Sequence, residues 1–483
     1  MHKMRVELPD ELEGNCIPPD DLSFKRIGKP ISIAPGHQFD LNFPPSQPLT
    51  VSHLHRLLFL AHSSGFFVAR TKDVIDATMK GNLDGSVRDV CLVDVNNLPY
   101  GFRVRILALS ADDSTLAVVS FSHQIIFYST ASFLNQEKVP CFSCSLMEKN
   151  VIKDLQWRKA KENSFLVISN QRELHYGTVC TPPKFVLDNV DAVSWSPRGK
   201  YVAAARKNNI EVYSSEFKNG LSISLRFESW LADSSANNIV KVDSIKWVRN
   251  DSLVVGCFQQ SDSVKEESYL IQVITSVNGD ITDIESEYIL RSFYEIFIGV
   301  ADDLLPVGTG PYLMLSYIKS CQLAVIANKK NTDQHIVFLG WSEEEGNTTV
   351  AVLELLEDSW RPRIELQGND DDNLILGLCI DELSVYGKIR IEVGNEEYKE
   401  ISPSCVLICL TVDGKLVMYY VISGEGGAVN SSLDDLEKDI PEKFYSGFDE
   451  EVISSKDSEE NSKYSDIGTN TNCNNKNFVP LLR

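Results

Sequence analysis

The chain has 483 residues, a mass of 54.1 kDa and a formal net charge of −22, from 46 basic and 68 acidic residues. This acidic balance argues against broad binding to nucleic acids or anionic membranes, because both require basic protein surface. Hydrophobic residues make up 43% of the sequence, so most of the chain can build a core. No apolar run approaches the roughly 20 residues that span a bilayer, so we expect no membrane insertion.

The beginning of the chain predicts an arm and then a strand. Residues 1–21 lack the apolar stretch of a secretory signal and are expected to form an N-terminal arm. Residues 22–33, LSFKRIGKPISI, resemble a strand placed ahead of the repeats. We expect this strand to pair with the last repeat beside residues 416–422 and so to join the two ends of a ring. A free arm is the alternative.

A β-rich unit recurs seven times along the chain. Each copy is a short apolar run, a turn, and a second run that ends in aromatic or β-branched residues. The turn sequences DDS, SPRG, RND and VDG tolerate tight turn geometry. These units predict an all-β fold, a seven-bladed β-propeller of WD40-like type over residues 22–424. The copies are residues 56–69, 107–128, 151–176, 190–213, 242–274, 312–339 and 373–422.

Three copies carry a tryptophan at corresponding places, namely Trp157, Trp195 and Trp247. Each unit has roughly 60 residues, more than the 40–45 of an ordinary propeller repeat. The surplus is expected in polar loops between strands. The candidate loops are residues 233–238, 261–268, 280–287 and 368–373.

The chain after the last repeat has a different composition. Residues 425–466 carry 13 acidic and 4 basic residues and few apolar ones. We expect residues 425–483 to form a disordered acidic tail. Apolar residues such as Phe444 and Phe448 leave open that the tail docks on the propeller or on a partner.

The sequence contains no motif for catalysis, a cofactor or a metal. GxSxG, P-loop, GxGxxG and HExxH patterns are all missing. Eleven Cys are scattered, with one CxxC at Cys141 and Cys144, and no Cys or His has the spacing of a zinc site. Thiols in apolar runs indicate buried free cysteines in a reducing compartment. These thiols are Cys257, Cys379, Cys405 and Cys409.

Six segments of the repeat region carry a resemblance to a known family. They are LSADDSTLAVV (109–119), VIKDLQW (151–157), VSWSPRGKYVAAARKNNIEVY (193–213), YLMLSYIKSCQLAVIA (312–327), LELLEDS (353–359) with Arg361, and CLTVDGKLVMYYVI (409–422). They resemble, in the family's order, the N-terminal propeller of the large cytoplasmic-face FG nucleoporin, that is, the vertebrate CAN protein and its fungal and plant counterparts. The fifth and sixth segments are more specific than the WSPxGK motif, which many propellers share.

The resemblance implies a docking module of the nuclear pore complex, at the cytoplasmic face of the nuclear envelope. It implies binding of a DEAD-box RNA helicase that serves mRNA export, contact with other nucleoporins, and no enzymatic activity. It also places the helicase contact in residues 340–359, which lead into LLEDS. The expected contact residues there are an exposed Trp341 and the acidic residues Glu343, Glu344 and Glu345.

Two other classes of protein remain open at this stage. One is a generic WD40-like scaffold in another complex. The other is a propeller hydrolase or lyase with a metal ion in the central channel. The scattered histidines and the lack of a repeated Asp/His motif weigh against the enzyme.

Overall fold

The computed structural model describes residues 3–423 apart from short gaps. The acidic tail, residues 425–483, and the candidate loop 233–238 lie outside the described residues. The gaps are residues 20, 34–36, 81–86, 88–89, 95–102, 122, 147–149, 160–162, 219, 228–238, 261–266, 298–299, 301–303, 307–309, 334, 345–346, 386–387 and 393–397.

Five short strands precede the repeats. They are β1 (Lys3–Glu7), β2 (Leu12–Glu13), β3 (Cys16–Ile17), β4 (Leu22–Arg26) and β5 (Ile31–Ser32). All five later join sheets that are built mainly from the repeats.

Blades 1 to 3 are four-stranded antiparallel sheets of consecutive strands. Blade 1 contains β6 (Leu49–Ser52), β7 (Leu57–His62), β8 (Gly65–Arg70) and β9 (Cys91–Asp94). Blade 2 contains β10 (Val104–Leu109), β11 (Thr115–Ser120), β12 (Gln124–Ser129) and β13 (Phe142–Ser145). Blade 3 contains β14 (Ile152–Trp157), β15 (Ser164–Ser169), β16 (Leu174–Thr178) and β17 (Thr181–Leu187).

Blades 4 to 6 repeat this arrangement. Blade 4 contains β18 (Ala192–Trp195), β19 (Tyr201–Arg206), β20 (Asn209–Ser214) and β21 (Gly220–Ser224). Blade 5 contains β22 (Ile239–Arg249), β23 (Ser252–Gln260), β24 (Glu267–Ser276) and β25 (Tyr288–Phe293). Blade 6 contains β26 (Leu313–Ile318), β27 (Leu323–Asn328), β28 (Ile336–Glu344) and β29 (Asn347–Leu353).

Blade 7 joins the two ends of the ring. Its sheet has β30 (Ile375–Asp381), β33 (Cys405–Thr411) and β34 (Lys415–Ser423), with β31 (Ile389–Glu392) and β32 (Tyr398–Ile401) forming a separate hairpin. The fourth strand is β4, which pairs antiparallel with β34 so that Leu22 faces Ser423, and β5 pairs with the start of β34. The predicted ring closure is therefore confirmed.

The first strands of the blades line the centre of the molecule. Each contacts the first strand of the next blade, and β30 of blade 7 contacts β6 of blade 1, which completes the circle. The predicted seven-bladed β-propeller is thus confirmed. The fold includes one α-helix among the described residues, Thr71–Lys80, and 3-10 turns at Thr130–Asn135, Lys319–Cys321 and Asp358–Trp360.

The N-terminal arm adds outer strands that the repeats do not supply. β1, β2 and β3 pair in parallel with the outer strands of three consecutive blades, β21, β25 and β29. β4 then forms the outer strand of blade 7. Residues 3–26 therefore run along the rim of four consecutive blades and cover the outer strand edges of blades 4 to 6.

The core lies between neighbouring blades, and two of the three tryptophans tie blades together. The indole nitrogen of Trp157 donates to the carbonyl of Ala108 in blade 2, over 3.0 Å. That of Trp195 donates to the carbonyl of Gln156 in blade 3, over 3.3 Å. Trp247 is 1% exposed in the core between blades 4 and 5. Their corresponding places in the sequence thus mark the interfaces between blades.

The structure differs from the sequence-based predictions at one loop boundary and at one cysteine. Glu267 and Ser268, assigned to a loop, are the first residues of β24, because they pair with Gln260 and Gln259. Cys379 is half-buried, whereas Cys257, Cys405 and Cys409 are buried as expected. Residues 280–287 and 368–373 lie between strands as predicted.

Candidate functional site

The predicted contact residues lie on the β28–β29 hairpin of blade 6. Trp341 is only 6% exposed, so its expected exposure is wrong. Alternation along β28 places Leu339 and Trp341 in the core between blades 5 and 6. There the indole packs edge-to-face on Tyr317, with 5.6 Å between ring centroids. Trp341 therefore packs in the core beneath the hairpin, and a role for it in partner binding stays a prediction.

The acidic residues of the hairpin differ in what the structure describes. The side chain of Glu343 is 68% exposed, and its carboxylate is 3.7 Å from the guanidinium group of Arg249. Glu344 ends β28, but its side chain and all of Glu345 lie outside the described residues. Glu343 is therefore available at the surface, and a role for the three acidic residues in binding stays a prediction.

Arg249 connects the hairpin to blade 5. Its Nε donates to Asp251 over 3.0 Å and its Nη1 to Gln322 over 2.5 Å. Burial opposes the charge of this guanidinium, but the hydrogen bond and charge of Asp251 raise the pKa of Arg249 overall. Asp251 also accepts from the hydroxyl of Thr348 on β29, over 3.2 Å. The hairpin is thus fixed relative to blade 5.

The hairpin borders the central channel. A cavity of about 1240 Å³ is lined by side chains from the first strands of blades 1, 3, 4, 5, 6 and 7, and it extends to Arg249, Glu343 and Thr348. Its lining contains several lysines and carboxylates. The cavity is large enough for a small-molecule ligand.

The segment that joins β29 to β30, residues 354–374 and here called the blade 6–7 connection, exposes apolar side chains that the sequence did not predict as a site. Leu356 is 69% exposed, Leu366 is 55% exposed and Trp360 is 38% exposed. Large apolar side chains that cluster at the surface of a soluble domain are typical of interaction sites. This connection, and not the β28–β29 hairpin, presents the accessible tryptophan.

Hydrogen bonds hold the blade 6–7 connection against blade 7. The backbone N–H of Arg363 donates to the hydroxyl of Tyr419 on β34, over 2.9 Å. Arg26 on β4 forms an ion pair with Glu365 at 2.7 Å. The side chain of Asn373 donates to the carboxylate of Asp413, in the turn between β33 and β34, over 3.3 Å. Because these contacts fix the connection, little backbone conformational entropy remains to be lost when a partner binds its exposed side chains.

The blade 6–7 connection is also strongly acidic. Between residues 354 and 374 the chain carries seven acidic and two basic residues. One of the two cations, Arg363, is paired with Asp358 at 2.8 Å, with both side chains exposed. An exposed apolar surface inside an acidic segment favours a partner with a basic surface that also has an apolar patch.

One signal in the sequence could have identified this surface. Residues 354–374 show neither the period-two alternation of a strand nor a helical period, and Pro362 follows Trp360 by two residues. A tryptophan in such a segment has no strand face to bury it. By contrast, Trp341 lies in an apolar run, IVFLGW, where burial is the usual outcome.

The described residues hold no group of three or more His, Cys, Asp or Glu side chains arranged to bind a metal ion. Within the same residues, no helix has the length and apolar character needed to cross a bilayer.

Comparison with known proteins gives a consistent result. Residues 43–416 match the family model described as the NUP159/214 beta propeller. The human nuclear pore complex protein Nup214 is 24% identical over 401 residues, which cover 79% of this chain and 18% of that protein. The chain thus spans less than a fifth of the length of this curated relative.

Two solved structures share the fold. The crystal structure of the N-terminal domain of Nup159 superposes with a TM-score of 0.60 at 13% identity, over 87% of this chain and all of that one. A structure of S. cerevisiae Dbp5 bound to Nup159 and Gle1 gives a TM-score of 0.59 at 13% identity, over 86% of this chain and 99% of that one.

The family match covers well over half of the chain, including six repeats and most of the seventh. The matched residues and the observed seven-bladed fold, which β4 closes, therefore lead to the same family. This chain belongs to the NUP159/214 β-propeller family.

Proposed function

We propose that this propeller docks a DEAD-box RNA helicase at the cytoplasmic face of the nuclear pore and thereby supports mRNA export. It acts as a scaffold without enzymatic activity, next to other nucleoporins. A related propeller, Nup159, is bound to Dbp5 in a solved structure, which supports the same class of partner here.

The single observation that carries this proposal is the blade 6–7 connection. It is fixed to blade 7 by Arg363, Glu365 and Asn373, yet it exposes Leu356 and Trp360 within an acidic segment. An exposed aromatic residue on a fixed segment is a typical binding hot spot. The surrounding carboxylates complement the basic surface with which a helicase binds RNA.

The acidic hairpin of blade 6 adds to this surface in the proposal. Glu343 is exposed, and Glu344 and Glu345 follow it in the sequence. Their charges would steer a basic partner during approach, and the apolar residues of the blade 6–7 connection would then hold it. RNA and the propeller should therefore compete for the helicase.

A capture experiment from cytosol tests the proposal. The wild-type chain should retain a DEAD-box helicase, and added single-stranded RNA should release it. The double variant Leu356→Ala, Trp360→Ala should retain much less helicase. Phe185→Ala is the matched control, since Phe185 is an exposed aromatic residue, 59% accessible, on the outer strand of blade 3.

If the wild-type chain captures no helicase, the proposal fails and a generic WD40-like scaffold becomes the better description. If the helicase binds the double variant and the wild type equally, docking stands but the blade 6–7 connection is not the contact.

A further inference from the structure

The central channel of this acidic protein contains a cluster of lysines. Lys153 lies on β14 of blade 3, Lys159 follows the same strand, and Lys246 lies on β22 of blade 5. All three line the central cavity of about 1240 Å³. The alternation of side chains along β22 explains the position of Lys246. Ile245 and Trp247 point into the core between blades 4 and 5, so Lys246 between them points away from that core.

One buried carboxylate, that of Asp154, lies near two of these ammonium groups, those of Lys153 and Lys246. Among the described residues, neither Lys159 nor Lys246 forms an ion pair or a hydrogen bond. Lys153 donates to a backbone carbonyl, that of Asp191, over 3.3 Å. Desolvation and the nearby positive charge of Lys246 lower the pKa of Lys159 to about 7. Desolvation also lowers the pKa of Lys246, against the opposing charge of Asp154.

Four carboxylates of the cavity lining are already engaged elsewhere. Asp154 accepts from the N–H of Leu155 over 2.8 Å and from the side chain of Gln156 over 3.0 Å. Asp243 accepts from the backbone N–H groups of residues 312 and 313. Asp191 is paired with an arginine at 2.7 Å, and Asp251 with another at 3.0 Å. Hydrogen bonds do not remove the charge of these carboxylates, and Asp154 acts on both Lys153 and Lys246. Lys159, which lies near Lys246, forms no ion pair among the described residues.

We propose that the central channel binds a small polyvalent oxyanion of the phosphate class, held between Lys153, Lys159 and Lys246. Two or three converging ammonium groups form charge-assisted hydrogen bonds to such an anion, and the anion relieves their mutual repulsion. The cavity has room for an anion larger than inorganic phosphate. This site is separate from the blade 6–7 connection and does not depend on helicase docking.

Isothermal titration calorimetry of the full chain with inorganic pyrophosphate, at fixed ionic strength, tests the proposal. The wild type should show saturable one-to-one binding. Lys159→Gln and Lys246→Gln should each weaken binding by about tenfold or more, as expected for a lost charge-assisted hydrogen bond. Lys218→Gln is the control and should bind as the wild type does, because Lys218 is exposed and paired with Glu216.

Circular dichroism and the unfolding midpoint establish that each variant is folded. Lys159 follows β14 and takes no part in sheet pairing, so Lys159→Gln tests the site even if Lys246→Gln destabilises the channel. The proposal is overturned if the wild type shows no saturable binding at millimolar pyrophosphate, or if both channel variants bind like the wild type. Binding of polyglutamate without binding of pyrophosphate would likewise reject a small oxyanion in favour of an acidic polypeptide.

Discussion

Blade 6 and the blade 6–7 connection carry one tryptophan each, and the fold places the two in opposite environments. Trp341 is 6% exposed in the core between blades 5 and 6, whereas Trp360 is 38% exposed on a segment held by blade 7. Both lie in acidic parts of the sequence, Trp341 before the LLEDS segment and Trp360 directly after it. The comparison shows that local composition does not predict whether a tryptophan is exposed, because the position of the ring on or off a strand face decides whether it meets solvent.

The sharpest test of this comparison is the stability of two alanine variants. Trp341→Ala should lower the free energy of unfolding by about 3–5 kcal/mol, because it leaves a cavity beside Tyr317. Trp360→Ala should change that free energy by no more than about 0.5 kcal/mol. Denaturant titration followed by circular dichroism measures both. Equal losses in the two variants would show that Trp360 is also a core residue.

The second prediction concerns helicase affinity and rests on the proposed function. Trp360→Ala should cost about 1–3 kcal/mol of binding free energy, mainly through faster dissociation, because an aromatic anchor is lost. Surface plasmon resonance with the purified helicase measures the rates. Phe185→Ala provides the baseline for an exposed aromatic residue on another blade. Unchanged dissociation for Trp360→Ala would move the contact away from the blade 6–7 connection.

The third prediction separates electrostatic steering from anchoring. Glu343→Lys combined with Glu344→Lys should slow association several-fold and remove much of its salt dependence, with little change in dissociation. Association rates at two salt concentrations measure this. Glu216→Lys is the matched control, since Glu216 is an exposed glutamate of blade 4. A pure change in dissociation would mean that the hairpin makes direct contact with the partner.

The smallest expected effect concerns the ion pair beside Trp360. Asp358→Asn removes the exposed contact with Arg363 at 2.8 Å. Because both groups are solvated, the free energy of unfolding should fall by about 1 kcal/mol or less. Thermal unfolding at low and high salt measures the difference. A larger loss would indicate that this pair, and not the hydrogen bond to Tyr419, fixes the connection.

The pattern of residues was enough to predict the repeats, because period-two apolar runs and turn sequences act locally. The VDG turn is an example: Gly414 adopts a φ of +76°, which favours glycine, and its N–H donates to the carbonyl of Thr411. The alternating residues of β4 also sufficed to predict the ring closure. The resemblance to the nucleoporin family rested on these same segments.

The arm could not be predicted in the same way. β2 and β3 have two residues each, too few to show any alternation, and they pair with strands more than 250 residues away. Their pairing depends on the ring, which brings the rim of blades 5 and 6 next to the arm. No local pattern carries that information.

The sequence by itself determined that this chain is a ring of seven β blades, because strand periodicity and turn chemistry depend on neighbouring residues. It also determined the acidic net charge, which depends on composition alone. The tertiary structure alone decided that Trp341 is buried while Trp360 is exposed, and that Lys159 and Lys246 line one channel. These outcomes depend on how blades pack around a common axis, and packing joins residues that are far apart in the chain.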